Sequence, residues 1–205
     1  MGICAGVLVV ALLAAACLSA GSQADYNKGY AIGLEAYTYG LPLIVTNTTF
    51  ATMTSIDVSS GAFGPVNRFN NVRTLNNAGS TAVVAPGANS LSSIAWLDLG
   101  SEPQVLHVPD TAGRYSSVEL IDPRDGTVFD YVGRRVGGTA AGDFLVTGPG
   151  WSGPVPSGTT QISSPNDSVF LIGRVLVEGD ADLPAAYDLA KQFQVTSLDR
   201  WRPAP

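Results

Sequence analysis

The chain has a single histidine, His107, which stands in a stretch rich in ionisable side chains. Residues 105–126 read VLHVPDTAGRYSSVELIDPRDG and hold three aspartates, one glutamate and two arginines beside that histidine. A histidine oriented by a carboxylate can act as the general base of a hydrolase when a serine stands on a strained turn. The G-x-S-x-G motif of such a turn does not occur in this chain, and one histidine cannot form a histidine-rich metal site.

The strand pattern around His107 decides how its side chain is interpreted. In QVLHVPD the alternation places Leu106 and Val108 on one face, and His107 on the other with Val105 and Pro109. We expect the Leu106 and Val108 face to point toward the core. The pattern therefore predicts an isolated histidine on the solvent side of its strand.

The aspartates that follow His107 have an ordinary turn explanation. Residues 123–126, PRDG, separate two apolar runs, and this composition is typical of a hairpin turn. Calcium binding by Asp122, Asp125 and Asp130 is the alternative, although the D-x-D-x-D-G spacing of a calcium loop is missing.

Two arginines embedded in apolar strand segments indicate where a binding site could lie. A buried guanidinium at Arg114 or Arg174 must pair with a carboxylate or with several carbonyl groups. Asp98 and Asp110 are the expected partners, so we predict an internal ion pair, with a ligand-binding arginine as the alternative. The candidate pocket comprises Asn89, Trp96, Asp98, Asp110, Arg114, Tyr115 and Arg174.

Short apolar runs separated by turn signals dominate the chain after Thr81. This pattern predicts a mainly β fold, a jelly-roll-like β-sandwich of about eight strands. The predicted strands lie in STAVVA, SSIAWLDL, PQVLHVP, RYSSVELID, TVFDYVG, DFLVTGP, TTQIS and SVFLIGRVLVEG.

Helical spacing occurs at both ends of the predicted domain. It predicts a helix from about Asp25 to Tyr39 and a second helical segment from about Pro42 to Met53, with the proline as a kink or break. The C-terminal stretch DLPAAYDLAKQFQVTSL, residues 182–198, predicts a terminal helix. Residues 57–80 are rich in glycine and asparagine and predict a long surface loop.

The charge balance excludes one class of partner. The net charge is −6, and the 11 basic residues are scattered along the chain. Because no stripe of lysine and arginine could neutralise phosphates, we expect no nucleic-acid binding. The acidic balance also argues against electrostatic docking on an anionic membrane.

The N-terminus predicts export. Residues 1–24 carry no charged side chain, and an apolar run of 16 residues extends from Ile3 to Leu18. A spanning helix needs roughly 20 such residues, and small residues precede Asp25, so we predict a cleaved signal peptide at 1–24. A single β-rich domain at 25–198 and a short tail at 199–205 then form a secreted or periplasmic protein. An uncleaved anchor helix and a lipidated Cys17 are the alternatives.

Both cysteines, Cys4 and Cys17, lie in this N-terminal segment. A domain that begins at Asp25 therefore has no cysteine for zinc, an iron–sulfur cluster or thiol catalysis. We predict no metal and no cofactor.

Five stretches of the chain, taken together, resemble the domain of unknown function 1254 family. Their order and spacing cover the chain from about Tyr26 to Leu198. The stretches are EAYTYGLPLIVTN (35–47), VVAPGANSLSSIAWLDL (83–99), VPDTAGRYSSVELID (108–122), VGRRVGGTAAGDFLVTGPGWSGPVPSG (132–158) and VFLIGRVLVEGDADLPAAYDLAKQFQVTSL (169–198).

The chain departs from the pattern of that family at several polar positions. Gly87, Asn89, Ser90 and Ser92 stand where the family has Asn, Asp, Thr and Tyr, Ser116 replaces a tyrosine and Phe170 replaces a tryptophan. The resemblance therefore leaves in doubt any activity that depends on those family groups.

The family has no agreed activity, so the resemblance implies a fold and an exported location more than a reaction. Many members are similar to a two-domain arrangement, in which a domain of unknown function 1214 follows. This chain is then a stand-alone version or a truncated one, with its oligomeric state open. We expect a non-catalytic module that binds a small molecule, glycan or lipid, or packs against a partner protein. A hydrolase-type enzyme with a carboxylate or Ser/Tyr site is the alternative.

Overall fold

The computed structural model describes residues 2–58, 60–77, 79–80 and 87–203, and for residues 2–21 it describes the backbone alone. The chain divides into two compact units, Met1–Val45 and Thr46–Pro205. All strands of the described residues belong to the second unit.

The N-terminal helix, α1, spans Gly2–Met53 and contains Pro42 in its interior. The predicted end at Met53 is confirmed, but the predicted division into two helical pieces is wrong. An interior proline costs a helix about 3 kcal/mol, and helical residues on both sides continue the structure once it has formed. In the part of the chain that the structure describes, no helix has the length and hydrophobicity needed to cross a membrane.

Nine strands in two sheets form the rest of the described fold, which confirms the mainly β prediction. Residues 81–85 of the predicted STAVVA strand lie outside the described residues. The strands are β1 Asn70–Asn71, β2 Ser90–Asp98, β3 Gln104–Val108, β4 Ser116–Ile121, β5 Val128–Gly133, β6 Gly142–Thr147, β7 Thr159–Ser163, β8 Ser168–Leu176 and β9 Gln194–Ser197.

The two sheets differ in size and in strand direction. The five-stranded sheet has the order β1-β2-β8-β4-β5 and is antiparallel throughout. The four-stranded sheet has the order β7-β6-β3-β9, and its β6–β7 pair is parallel. Leu106 and Val146 of the smaller sheet and Leu171 of the larger one belong to one buried apolar cluster.

The central strand β8 separates the two faces of the larger sheet. Val169, Leu171 and Val175 are fully buried in the apolar cluster, because successive side chains of a strand point to opposite faces. Phe170 and Arg174 alternate with them and are only partly buried. The larger sheet thus has an inner face toward the core and an outer face with mixed chemistry.

The C-terminal region corrects the prediction of one long helix over residues 182–198. Helix α2 spans only Leu183–Ala190 and buries Ala186 and Ala190 in the core. The following residues form β9, which pairs with β3. The helical spacing continued to Phe193, but the backbone of β9 finds its hydrogen bonds on the neighbouring strand instead.

The predicted surface loop over residues 57–80 is partly wrong. Phe69 and Asn70 are buried, and Asn70–Asn71 forms strand β1 on the edge of the larger sheet. Two residues are too short a strand to produce a recognisable alternation in the sequence.

Candidate functional site

Three of the seven predicted site residues lie on the outer face of the larger sheet. Trp96 pairs in register with Phe170, and Arg174 lies between Ser92 and Ser117. Tyr115 stands two residues before Ser117 and lies on the same side of the sheet, because side chains alternate along a strand. We define the outer face by Trp96, Tyr115, Ser117, Glu119, Tyr131, Phe170, Ile172 and Arg174.

An aromatic group forms one side of the outer face. The rings of Trp96 and Phe170 lie 4.5 Å apart between centroids, and Phe50 contacts Trp96 edge-on at 5.3 Å. Trp96 is only 4% exposed, and its indole nitrogen has no hydrogen-bond partner among the described residues. A buried donor without a partner is costly, and the Trp96 ring is packed against Phe50 and Phe170.

A pair of tyrosine hydroxyls forms the centre of the polar side. The hydroxyl oxygens of Tyr115 and Tyr131 lie 3.0 Å apart. The hydrogen bond from Tyr131 lowers the pKa of Tyr115, whereas burial raises the pKa of Tyr131. The hydroxyl of Tyr115 is therefore the more acidic of the two, and either hydroxyl can be the donor in this hydrogen bond. The pair thus places two hydroxyl groups, each able to donate and to accept, side by side on the outer face.

Arg174 lies beside the tyrosine pair in the register of the sheet, opposite Ser117. A Cβ on Gly87 would stand 2.9 Å from its Nη1 atom, so the backbone at residue 87 passes close to the guanidinium. Among the residues that the structure describes, Arg174 has no ion-pair partner, and the predicted pairing with Asp98 or Asp110 is wrong. Its charge is therefore available on the outer face.

Arg114 does form the predicted ion pair, but with a different carboxylate. Its Nη1 donates to Asp182 Oδ2 at 2.5 Å and to the carbonyl oxygen of Leu176 at 2.8 Å, and its Nη2 donates to Asp182 Oδ1 at 2.7 Å. The bonds from Arg114 and the Glu178 N–H lower the pKa of Asp182 to about 2. This bidentate pair ties the start of β4 to the turn before α2, and Arg114 is not on the outer face.

The remaining predicted site residues are exposed, at or just beyond the ends of strands, and do not converge. Asp98 accepts a hydrogen bond from the Gly100 N–H, and Asp110 accepts one from the Ala112 N–H. Asn89 is also exposed, and its carbonyl oxygen accepts the Val177 N–H. These contacts are those of turn-forming residues.

His107 has a partner, so the prediction of an isolated histidine is wrong. Its Nδ1 atom lies 2.7 Å from Asp143 Oδ1, directly across the β3–β6 pairing. The side chain of His107 is 38% exposed and that of Asp143 17%. The alternation correctly predicted that His107 and Leu106 point to opposite faces of β3. The partner of His107, Asp143, lies on another strand, 36 residues further along the chain.

The PRDG turn has the contacts of an ordinary turn. Asp122 accepts hydrogen bonds from the backbone and side chain of Arg124, and Asp125 accepts one from the Thr127 N–H. Among the described residues, no three side chains of His, Cys, Asp or Glu lie together as metal ligands would.

Two adjoining cavities lie where β1 and β9 end their sheets. Their volumes are about 660 and 640 Å³. We call them together the cationic groove, because Arg68, Arg73, Lys191 and Arg200 line them. Neither these cavities nor a third of about 320 Å³ beside Trp151 is lined by any of the seven predicted site residues. The four cations are too far apart in sequence to form a motif, so sequence reasoning missed them.

The described residues form a mainly β domain with two packed sheets. The profile of a family described as "Protein of unknown function (DUF1254)" matches residues 66–197. The chain belongs to this family. The stretch at 35–47, which also resembles the family, lies outside the matched residues. No match was found among curated proteins.

Two solved structures are similar to this chain. The VPA0106 protein from Vibrio parahaemolyticus superposes with a TM-score of 0.64 at 22% identity, and the match covers 83% of this chain and 41% of that one. An uncharacterized protein from Burkholderia cenocepacia gives a TM-score of 0.40 at 11% identity, over 66% of this chain and 36% of that one. The chain thus spans about two fifths of the first of these structures, whose similarity shows the fold alone.

Proposed function

We propose that this protein is a non-catalytic binding module whose outer face takes a hydroxyl-rich ligand, a glycan. The observation that carries the proposal is the tyrosine pair, with its oxygens 3.0 Å apart on a half-buried sheet face. A sugar offers hydroxyls that both donate and accept, together with an apolar ring face. The tyrosine hydroxyls can donate to and accept from such groups, and tyrosine combines a polar tip with an apolar ring.

The other outer-face groups support the same ligand class. Glu119 of β4 lies across from Ile172 of β8, and Arg174 lies two residues further along β8, so an acceptor and a donor are neighbours of an apolar residue. Ligand sites commonly combine an apolar surface with a few fixed polar groups.

Saturation-transfer difference NMR with a panel of soluble oligosaccharides tests this proposal. The parent protein should give a signal with at least one of them. The double variant Tyr115→Phe/Tyr131→Phe should lose that signal, because both hydroxyls are removed while the rings remain. Tyr39→Phe is the matched control, since Tyr39 is 80% exposed on α1.

Two outcomes would contradict the proposal. The first is the absence of a signal from the parent protein with every oligosaccharide, and the second is binding by the double variant equal to that of the parent. Circular dichroism of the double variant separates loss of the site from loss of the fold.

A hydrolase is the second candidate function, and the His107–Asp143 pair is the observation that favours it. Asp143 contacts the Nδ1 atom, so the Nε2 atom of His107 is the one that would act as the base. Hydrolysis would also require a nucleophile or an activated water within hydrogen-bond reach of that atom. Among the described residues, His107 has no second side-chain hydrogen bond. An ester-hydrolysis assay of His107→Gln against the parent tests this candidate.

A further inference from the structure

We infer that the cationic groove binds a ligand with more than one negative charge, of the phosphate or phosphate-ester type. This site is separate from the outer face, because the two share no residue. Anion binding at this groove is not what the net charge of the whole chain predicts, because an acidic protein has no general affinity for anions.

The distribution of charge carries the inference. The chain has 11 basic and 17 acidic residues. The groove is lined by four of the basic residues and by one of the acidic ones, Glu102. A concave surface with mostly one sign of charge concentrates ions of the opposite sign. In a protein with a net charge of −6, that concentration of cations is local.

Tyr187 of α2 holds two of the cations in place. The Nε atom of Arg73 donates to the Tyr187 hydroxyl at 2.9 Å, and the guanidinium carbon lies 5.1 Å from the ring centroid. The Nζ atom of Lys191 lies 5.3 Å from the same centroid, while it also pairs with Asp188 at 2.7 Å. Tyr187 packs against the apolar core, so its ring is a fixed support. Among the described residues, the terminal nitrogens of Arg73 have no hydrogen-bond or ion-pair partner, so they can form a bidentate contact with a phosphate.

Arg68 joins the two cavities, because it lines both. Among the described residues, its guanidinium makes no hydrogen bond and no ion pair. Arginine is the side chain best suited to phosphate, since its planar fork matches two oxygens at once. Arg68 precedes β1 and Arg73 follows it, and both line the cavity of about 640 Å³. The two arginines can therefore contact neighbouring anionic groups of one ligand.

The floor of the groove is rigid. Phe69 and Phe193 line it and contact each other edge to face at 6.3 Å, and both belong to the buried core. A cavity supported by packed aromatic rings loses little conformational entropy when a ligand enters. The groove is therefore formed before binding.

Isothermal titration calorimetry with inorganic pyrophosphate at low ionic strength tests the inference. We expect binding by the parent protein that weakens as sodium chloride is added. The variant Arg68→Gln/Arg73→Gln should bind about tenfold more weakly, because two charge-assisted contacts are lost. The control Arg134→Gln/Arg135→Gln removes the same charge from the exposed turn after β5, the opposite edge strand of the larger sheet, and should bind like the parent.

Tyr187→Phe provides a test of positioning. This variant keeps every charge and the ring but removes the hydroxyl that holds Arg73, so pyrophosphate binding should weaken by about threefold. Thermal melting checks that each variant remains folded.

A second arm distinguishes the sources of the phosphate. Co-sedimentation uses vesicles of phosphatidylcholine with and without phosphatidic acid. Binding of pyrophosphate without binding to the vesicles supports a soluble ligand. Additional binding to the phosphatidic acid vesicles supports a lipid headgroup if the variant Arg68→Gln/Arg73→Gln abolishes that vesicle binding. The inference is overturned if neither probe binds, or if the two double variants bind pyrophosphate equally.

Discussion

At the scale of single residues, the tyrosine pair shows how a neighbour changes the chemistry of a common side chain. Tyr115 and Tyr131 are the same residue type, yet their pKa values shift in opposite directions. A hydroxyl that accepts a hydrogen bond ionises more readily, and a buried hydroxyl less readily. The two hydroxyls of the outer face therefore differ in acidity.

Replacing Tyr131 should remove the cause of the Tyr115 shift. In Tyr131→Phe we expect the pKa of Tyr115 to rise back toward its ordinary value of 10.0, because the largest lowering cause is lost. Ultraviolet titration follows tyrosinate formation in Tyr131→Phe and in Tyr115→Phe/Tyr131→Phe. The difference between the two titration curves gives the pKa of Tyr115. A pKa of Tyr115 that stays below its ordinary value in Tyr131→Phe would contradict the hydrogen bond from Tyr131 as the cause of the shift.

The His107–Asp143 pair should contribute little to stability. Both side chains are partly solvated, and exposed ion pairs typically contribute about 0–1 kcal/mol. We expect His107→Gln to change the free energy of unfolding in urea by less than about 1 kcal/mol. A larger loss would show that the pair supports the four-stranded sheet.

At the scale of elements, the pairing of β4 with β5 depends on a close backbone contact. Gly133 has a φ of +140°, and a Cβ there would lie 2.4 Å from the carbonyl oxygen of Ser116. Only glycine permits both the conformation and the approach. The outer face shares this pairing, because Tyr131 stands two residues before Gly133.

Gly133→Ala should therefore destabilise the protein by about 1–3 kcal/mol. The matched control is Gly137→Ala, since a Cβ at Gly137 would meet no atom within 4 Å. Chemical denaturation of the two variants provides the comparison. Equal stability of Gly133→Ala and Gly137→Ala would be incompatible with the close contact at Ser116.

The Arg114–Asp182 pair connects β4 to the turn before α2 and should make stability depend on acid. Because the folded-state pKa of Asp182 is about 2, against an ordinary 3.8, the ionised pair stabilises the fold above about pH 4. That contribution is lost as the pH falls from about 4 to about 2. Arg114→Leu should lower the thermal midpoint by a few degrees at neutral pH.

Thermal melts between pH 5 and pH 2 test this pH dependence. Asp182→Asn should show a shallower decline than the parent, because it has no carboxylate to protonate at that position. Asp180→Asn removes a carboxylate from the same turn and should decline as the parent does. Identical profiles for the parent and Asp182→Asn would rule out the pair as the cause.

At the scale of the whole molecule, the N-terminal segment and the β domain have different chemistry. Residues 1–24 carry no charge, whereas the rest of the chain contains all 28 charged residues. We propose that this segment directs export and is cleaved after Ala24.

N-terminal sequencing of protein from the culture medium or periplasm of a bacterial host tests that proposal. The mature chain should begin at Asp25, because small residues at positions 22 and 24 suit signal peptidase. Intact Met1 in exported protein would contradict cleavage, and a lipid on Cys17 would indicate the lipoprotein alternative.

The sequence by itself determined the elements whose information is local. Alternation along residues 168–176 and 104–108 identified β8 and β3, because one buried face imposes a period of two. Turn chemistry identified the PRDG hairpin. Motifs in fixed order identified the family, and the match over residues 66–197 confirmed it.

Tertiary structure decided what depends on residues far apart in the chain. Arg114 was expected to pair, but the choice of Asp182 over Asp98 depends on where the turn before α2 meets β4. β9 exists because β3 offers it a partner, and the cationic groove exists because two sheet edges and the end of α2 meet. Local sequence carries the periodicity of a strand, whereas neighbours across a sheet are determined by packing of the whole chain.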